Sequence, residues 1–440
     1  MSQTQANDNS FEITGLGLLP KEWDIISLGD ILEEMDVRCG DVQRVNTQDI
    51  PVLSLTKEAG IILQSDRFHK RIAVKNIKSY KYIQNGWFVY NPYVIWEGAI
   101  HILKKYEFGA VSPVYPTWKL STNAHPLYID YLLRTPLLLD SYLRLCSGVV
   151  KRRRSISKPA FLSIKIPFPP LIEQVRIGGI LSAIQLAKEK TENAVRAAKE
   201  LKKSLMKYLF TYGAVPVEQA QNPPLQETDF GTIPLHWKIM PLERCSIVQT
   251  GIAKGRRLTG ADIITVPYLR VANVQDGYLN LDEMKYIDIR RSEVDRFLLR
   301  KGDIVLTEGG DFDKLGRGFI WQDEIPSCVH QNHIFAVRAD PTVMSPQFLG
   351  YMVQSGYAKA YFLSVAHKTT NLACINTTKL KALPVLVPSR PEQERIASML
   401  GRVDHRIRTE GNKKKVLDEL FLTLLHNLMT GKVRVNDLEI

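Results

Sequence analysis

The chain has 440 residues, 45% hydrophobic and 24% charged, a balance that suits two or three folded domains and excludes a disordered chain. Lysine plus arginine outnumber aspartate plus glutamate by 58 to 46, and the net charge of +12 suits a polyanionic partner such as nucleic acid. Five widely separated cysteines without a CxxC pair exclude a disulfide framework and a zinc ribbon.

In chain order, the polar opening MSQTQANDNS makes residues 1–18 an expected flexible N-terminus and not a signal peptide. No apolar run approaches the roughly 18 residues of a membrane helix, so the cytoplasm is the expected compartment. A first globular domain is predicted over 19–171. It opens on Leu19-Pro20-Lys21-Glu22-Trp23, continues in β-rich runs such as Trp87-Phe88-Val89-Tyr90, and carries an amphipathic helix near 126–145. Pro167, Pro169 and Pro170 then lead into a long helix over 172–213, as proline permits at a helix's first turn. Its apolar residues alternate spacings of three and four over five heptads, with Ile177, Ile184, Leu201 and Leu205 in the seam and Thr191 as its polar break.

A linker over 214–232 leads to a second globular domain over 233–390, with a further amphipathic helix near 346–364. Pro384, Pro388 and Pro391 precede a second long helix over 391–431, and 432–440 is a tail. The second seam holds Ile396, Val403, Leu417 and Leu424, broken by Glu410 and Lys414. Antiparallel pairing would bring the polar breaks of the two seams together; the alternative is two helices packed only on their own domains. The predicted fold class is α+β, two globular domains separated by two long helices that form an antiparallel coiled coil within the chain.

The halves repeat each other. Leu19 to Trp23 returns as Ile233-Pro234-Leu235-His236-Trp237, and Glu173-Gln174-Val175-Arg176-Ile177 returns as Glu392-Gln393-Glu394-Arg395-Ile396. Gly86–Val89 matches Gly302–Val305, and the helical stretch Tyr128–Leu143 matches Phe348–Leu363. The matches are sparse, as in a duplicated reader whose two specificities have diverged.

Basic runs fall in predicted loops. Lys151, Arg152, Arg153 and Arg154 follow the first domain's helix, and His367, Lys368 and Asn371 hold the same place in the second. Lys254, Arg256 and Arg257 flank Gly255. Arginine and lysine contact phosphates, arginine also takes guanine edges, and glycine lets backbone approach closely, so these residues are the candidate DNA contacts.

Catalytic motifs are missing. No phosphate loop of the GxxxxGK[ST] type occurs, and Gly251-Ile252-Ala253-Lys254-Gly255 is too short for a nucleotide cradle. Asn91-Pro92-Tyr93 resembles the Asn-Pro-Pro-Tyr motif of amino-methyltransferases but lacks a proline and a cofactor loop, and reads as a turn. Cys328, His330 and His333 lack the second cluster that a zinc site draws on. Asp311 and Asp313 read as loop acids.

Taken with the repeat, these motifs resemble the specificity subunit of type I restriction-modification enzymes over Leu19 to Lys432. That family opens its two target-recognition domains on a Leu/Ile-Pro-x-x-Trp element and starts its two long helices after a Pro-rich stretch ending in Glu-Gln. Thr430-Gly431-Lys432 is similar to the family's ending of the second helix, and Tyr90-Asn91-Pro92, Trp96-Glu97-Gly98-Ala99 and Val111-Ser112-Pro113 resemble one recognition-domain type. Lys151–Arg154 departs from the more polar loop expected there. The resemblance implies a non-catalytic subunit that reads double-stranded DNA, one domain per half of a bipartite target, with the helices setting the spacing. It implies two methyltransferase subunits using S-adenosylmethionine and restriction-translocase subunits using ATP and magnesium as partners, with no cofactor or metal in this chain. The alternative is a related bipartite system in which one partner both cleaves and methylates. A stand-alone methyltransferase or nuclease would need the missing motifs, and a plain coiled-coil scaffold would not need the basic loops.

Overall fold

The computed structural model describes residues 10–43, 46, 49–57, 59–68, 77–148, 154–216, 218, 224–256, 258–310, 315–368 and 373–435. The chain forms two units, Met1–Glu192 with Asn412–Ile440 and Asn193–Gly411. Each unit holds one globular domain and half of each long helix.

In the first unit, β1 (Phe11–Thr14) and β2 (Gly17–Pro20) form a hairpin. β3 (Asp24–Ser27) follows, then β4 (Leu32–Glu34), β5 (Phe88–Tyr90), β6 (Ile100–Ile102) and β7 (Thr117–Leu120). The last four make an antiparallel sheet in the order β4-β7-β5-β6. Helices α1 (Pro126–Leu132) and α2 (Pro136–Leu145) each begin on proline, whose missing N–H costs nothing in a first turn. A short helix α3 (Lys158–Leu162) and β8 (Lys165–Phe168), paired with β3, lead into α4 (Leu171–Tyr212).

The second unit repeats this order. Hairpin β9 (Leu225–Thr228) and β10 (Gly231–Pro234) precede β11 (Lys238–Pro241) and β12 (Ser246–Thr250). A ribbon of β13 (Ile263–Leu269) and β14 (Lys285–Arg290) is followed by β15 (Ile304–Thr307), β16 (Gly318–Ile320) and β17 (Ile334–Ala339). Its main sheet runs β12-β17-β15-β16, so in both units the first strand pairs with the last and the last with the second. Then come α5 (Pro346–Met352), α6 (Gly356–Val365), α7 (Thr377–Lys381), β18 (Pro384–Val387), paired with β11, and α8 (Arg390–Met429).

The repeated Glu-Gln pair has a structural reason. Gln174 is fully buried; its Oε1 accepts from His125 N at 2.9 Å and its Nε2 donates to Pro169 O at 2.8 Å. Gln393 does the same with Ser345 N at 2.8 Å and Pro388 O at 3.0 Å. Each glutamine fastens the start of a long helix to the start of its domain's helix pair.

Each core is shared between the domain and both long helices. Ile177 and Leu181 of α4 and Leu425, Leu428 and Met429 of α8 join Trp23, Trp118 and Phe161 in the first unit. Leu209 and Phe210 of α4 and Ile396 and Leu400 of α8 join Trp237, Phe335 and Phe348 in the second. The helices run antiparallel in each unit: Lys188 meets Asp418 at 2.7 Å and Glu192 meets Lys414 at 3.1 Å in the first, and Lys202 meets Asp404 at 2.7 Å in the second. The fold is α+β with two globular domains and an antiparallel helix pair.

Several expectations need correction. Leu201 is 55% exposed, while Ala198 is buried and Lys202 faces α8. A straight helix drifts about 20° per heptad, so a strict three-four alternation leaves the contact face over five heptads. Ile177 and Ile396 are buried; Ile184, Leu205, Val403, Leu417 and Leu424 are half-buried. Part of the expected flexible N-terminus is the β1–β2 hairpin, and part of the expected linker is β9 and β10. The expected tail contributes Val435 to the first core and Arg434 to an ion pair with Glu173. The hairpin strands are only four residues each, too short for a periodic signal, and the tail's partner Glu173 lies 261 residues earlier.

Candidate nucleic-acid interface

In the first unit α2 ends at Leu145, and the basic run follows it in the sequence. Ser147 and Ser155, on either side of the basic run, exchange backbone hydrogen bonds of 3.0 and 3.1 Å. Arg154 donates from Nε to Gly148 O at 3.2 Å. Lys151, Arg152 and Arg153 lie outside the described residues. The segment leaving β5 lies alongside, with Ile156 N donating to Pro92 O at 3.4 Å. Asn91 shapes that segment as an Asx turn: its Oδ1 accepts from Tyr93 N at 3.1 Å and its Nδ2 donates to Tyr115 Oη at 3.1 Å. Its amide is thereby committed to structure, and Tyr93 is left exposed.

The second unit builds the same place from different side chains. His367–Lys368 pairs with Ala373–Cys374, which pairs with Gly309–Gly310 just after β15. Ile375 N donates to Glu308 O at 2.9 Å, matching the contact at Pro92. A Cβ at Gly309 would meet Cys374 Sγ at 2.6 Å, so the close approach requires glycine. Glu308 accepts from His333 at 2.6 Å, and Glu308 N donates to His333 O at 3.0 Å. Next along, Asn332 N donates to Ile252 O at 3.0 Å and Ile252 N to His330 O at 2.8 Å. Gly251 is a packing glycine, since a Cβ there would sit 2.0 Å from His330 O. These bonds place the exposed Lys254, His333 and His367 and the half-buried Glu308 and Asn332 along joined segments. Asparagine and charged groups of this kind match base edges and phosphates.

Of the other expected contacts, Asn371 and Arg257 lie outside the described residues, and Lys368 is described only as strand backbone. Arg256 is already engaged: its Nη2 lies 2.8 Å from both oxygens of Glu293 and holds that carboxyl below its usual range. Lys254 lies 5.7 Å from the Tyr268 ring centre. Glu308, Asn332 and His333 join the candidates only in the fold, because their juxtaposition depends on strand pairing. Cys328 and His330 face the core, where burial pushes the Cys328 thiol up to about 12.

Each unit buries a histidine beside this place. His101 Nδ1 accepts from Arg134 Nη1 at 2.7 Å, so its proton sits on Nε2. Burial, helped by that guanidinium, lowers its pKa to about 4. His330 donates from Nδ1 to Ile334 O at 2.9 Å, and burial lowers it to about 4 as well. An unfolded histidine titrates near 6.5, so between that value and about 4 the unfolded chain binds the extra protons and stability falls with pH. From pH 7 to pH 5 each histidine should cost its unit about 2 kcal/mol. Urea unfolding midpoints at the two pH values test this, and unchanged midpoints would contradict it.

Residues 252–419 match the family described as the type I restriction modification DNA specificity domain. The type I restriction enzyme MjaVIII specificity subunit of Methanocaldococcus jannaschii is 24% identical, the alignment spanning 99% of this chain and 98% of that protein. The EcoKI specificity subunit of Escherichia coli is 22% identical over 67% of this chain and 61% of its own length. Among solved structures, the type I restriction-modification S subunit from M. genitalium shares the fold at a TM-score of 0.59 and 12% identity, covering 97% of this chain and 99% of that one. With the duplicated fold, the chain is similar along both halves to type I restriction-modification specificity subunits, and residues 252–419 carry that family's DNA specificity domain.

Proposed function

We propose that each globular domain reads one half of a bipartite double-stranded DNA target, and that the chain presents that DNA to methyltransferase and restriction subunits. The carrying observation is a single loop-and-strand place built twice with different side chains. Arg154 and Tyr93 occupy it in the first unit; Glu308, His333 and His367 occupy it in the second. A conserved frame with changed chemistry suits two readers of different sequences. The chain itself supplies recognition and no catalysis. Two methyltransferase subunits carry S-adenosylmethionine, and restriction-translocase subunits carry ATP and magnesium. Val416, Leu420 and Leu422 of α8 are exposed apolar residues that suit a protein partner on the helices.

Exchanging residues 19–165 for the matching part of a relative, with a cognate methyltransferase subunit present, should change one half of the target and leave the other. Mapping the modified adenines reads the result. Joint change of both halves would show that the domains do not read independently.

A further inference from the structure

Within the second unit, the end of α4 and the globular domain enclose a cleft of about 890 Å³. Lys199, Lys203 and Lys207 line it at successive intervals of four residues, so they lie on one helical face about 6 Å apart, and all three are exposed. Like charges at this spacing destabilise a helix. Other lysines of α4 are neutralised, Lys188 by Asp418 and Lys202 by Asp404. Among the described residues, none of the three cleft lysines has an ion-pair partner. Glu200 and Asp276 also line the cleft, but the three lysines of the row outnumber them, so positive charge prevails.

The opposite wall fits an anion. Gly231 and Gly356 line it with open space where a Cβ would stand, which allows close approach to backbone. Gly356 and Tyr357 are the first residues of α6, ten residues long, whose N-terminal dipole end favours negative charge.

The feature occurs once. The 219-residue offset between the Glu-Gln pairs puts Asp418, Leu422 and His426 of α8 where α4 has the three lysines. An occupant that bound both halves alike would need the row twice.

We propose that this cleft grips the sugar-phosphate backbone of duplex DNA beside the second domain's half-site, a contact that strengthens binding without reading sequence; it rests on the proposed DNA-reading function. A linear polyanion relieves the repulsion along the row, and lysine, a compact point charge, suits phosphate more than base edges.

The test measures the affinity of the full chain for a duplex of about 40 base pairs and arbitrary sequence, between roughly 50 and 200 mM salt. In the Lys199→Gln/Lys203→Gln/Lys207→Gln variant, the slope of log affinity against log salt should become shallower by about three, close to 0.9 for each lost contact. Glutamine preserves the helix nearly as well as lysine. A Lys413→Gln/Lys415→Gln control on α8 should keep the original slope. A triple variant with the original slope overturns the cleft contact while DNA binding by the parent chain stands. A slope lost equally in the control reduces the effect to net charge and overturns it too. Loss of co-purification with the methyltransferase subunit at an unchanged slope makes the row a protein-docking site instead. A parent chain with no affinity for DNA overturns the DNA-reading function and this inference together.

Discussion

Four residues inserted into each long helix should lengthen the spacer of the DNA target by about two base pairs and leave both half-site sequences unchanged. The insertion points are between Glu192 and Asn193 in α4 and between Gly411 and Asn412 in α8, where the chain passes from one unit to the other. Four residues add about 6 Å of rise and slightly more than one turn, so they nearly preserve the facing of each helix. Base pairs rise about 3.4 Å, so the added length is close to two of them. Two inserted residues add about 200° of rotation, turn the buried faces outward and should abolish binding. Leu201→Pro should do the same. Leu201 is 55% exposed, so little packing is lost with its side chain, and the cost of about 3 kcal/mol or more comes from the broken helix itself. Selecting bound duplexes from a pool with random spacers and sequencing them gives the readout. An unchanged spacer in both insertion variants would mean that the helices do not set it.

The long helices and the duplication were legible because both depend on local or strictly repeated signals. Heptad spacing reports on a helix's own face, and Pro-x-x-Trp and Glu-Gln recur at nearly constant offsets. Leu201 was misplaced because a seam drawn on the sequence ignores the 3.6-residue turn. Residues 432–440 were read only as a tail because neither Val435 nor Arg434 carries a local pattern; Arg434 finds its partners in the turn at Glu22 and in the first turn of α4, hundreds of residues earlier. The candidate interface was legible only as basic loops. Arg256 sits in such a loop, yet Glu293, 37 residues on, holds it. Glu308 and His333, 25 residues apart, meet through strand pairing that charge counting does not see.

Glu173→Ala should destabilise the first unit by about 3 kcal/mol, while Glu392→Ala, the matching change in the second, should cost about 1 kcal/mol. The two glutamates open the two long helices but hold different things. Glu173 Oε2 accepts from Trp23 Nε1 at 2.9 Å, and Arg434 donates to both oxygens, from Nε at 2.9 Å and from Nη2 at 3.1 Å. Arg434 also reaches Glu22 at 2.8 Å, so this carboxylate ties the domain's opening, the first turn of α4 and the chain end into one joint. Gly431 lets the chain end approach: with φ at +65°, a Cβ there would meet Pro20 Cγ at 2.3 Å. Removing the acid leaves a buried indole N–H and a mostly buried guanidinium without their acceptor, and a broken buried pair costs about 3–5 kcal/mol. The lower end applies, because Glu22 remains and the Arg434 side chain is 20% exposed. At Glu392 the partners are His236, 58% exposed at 3.0 Å, and Ala214 N at 3.4 Å; water can replace the first. Trp237 Nε1 has no partner among the described residues, so that indole has nothing to lose. Native-state hydrogen exchange on the intact chain separates the units. Protection should fall in 10–34 and 165–190 for Glu173→Ala and far less in the matching segments for Glu392→Ala, and equal losses would show that the two joints are energetically alike.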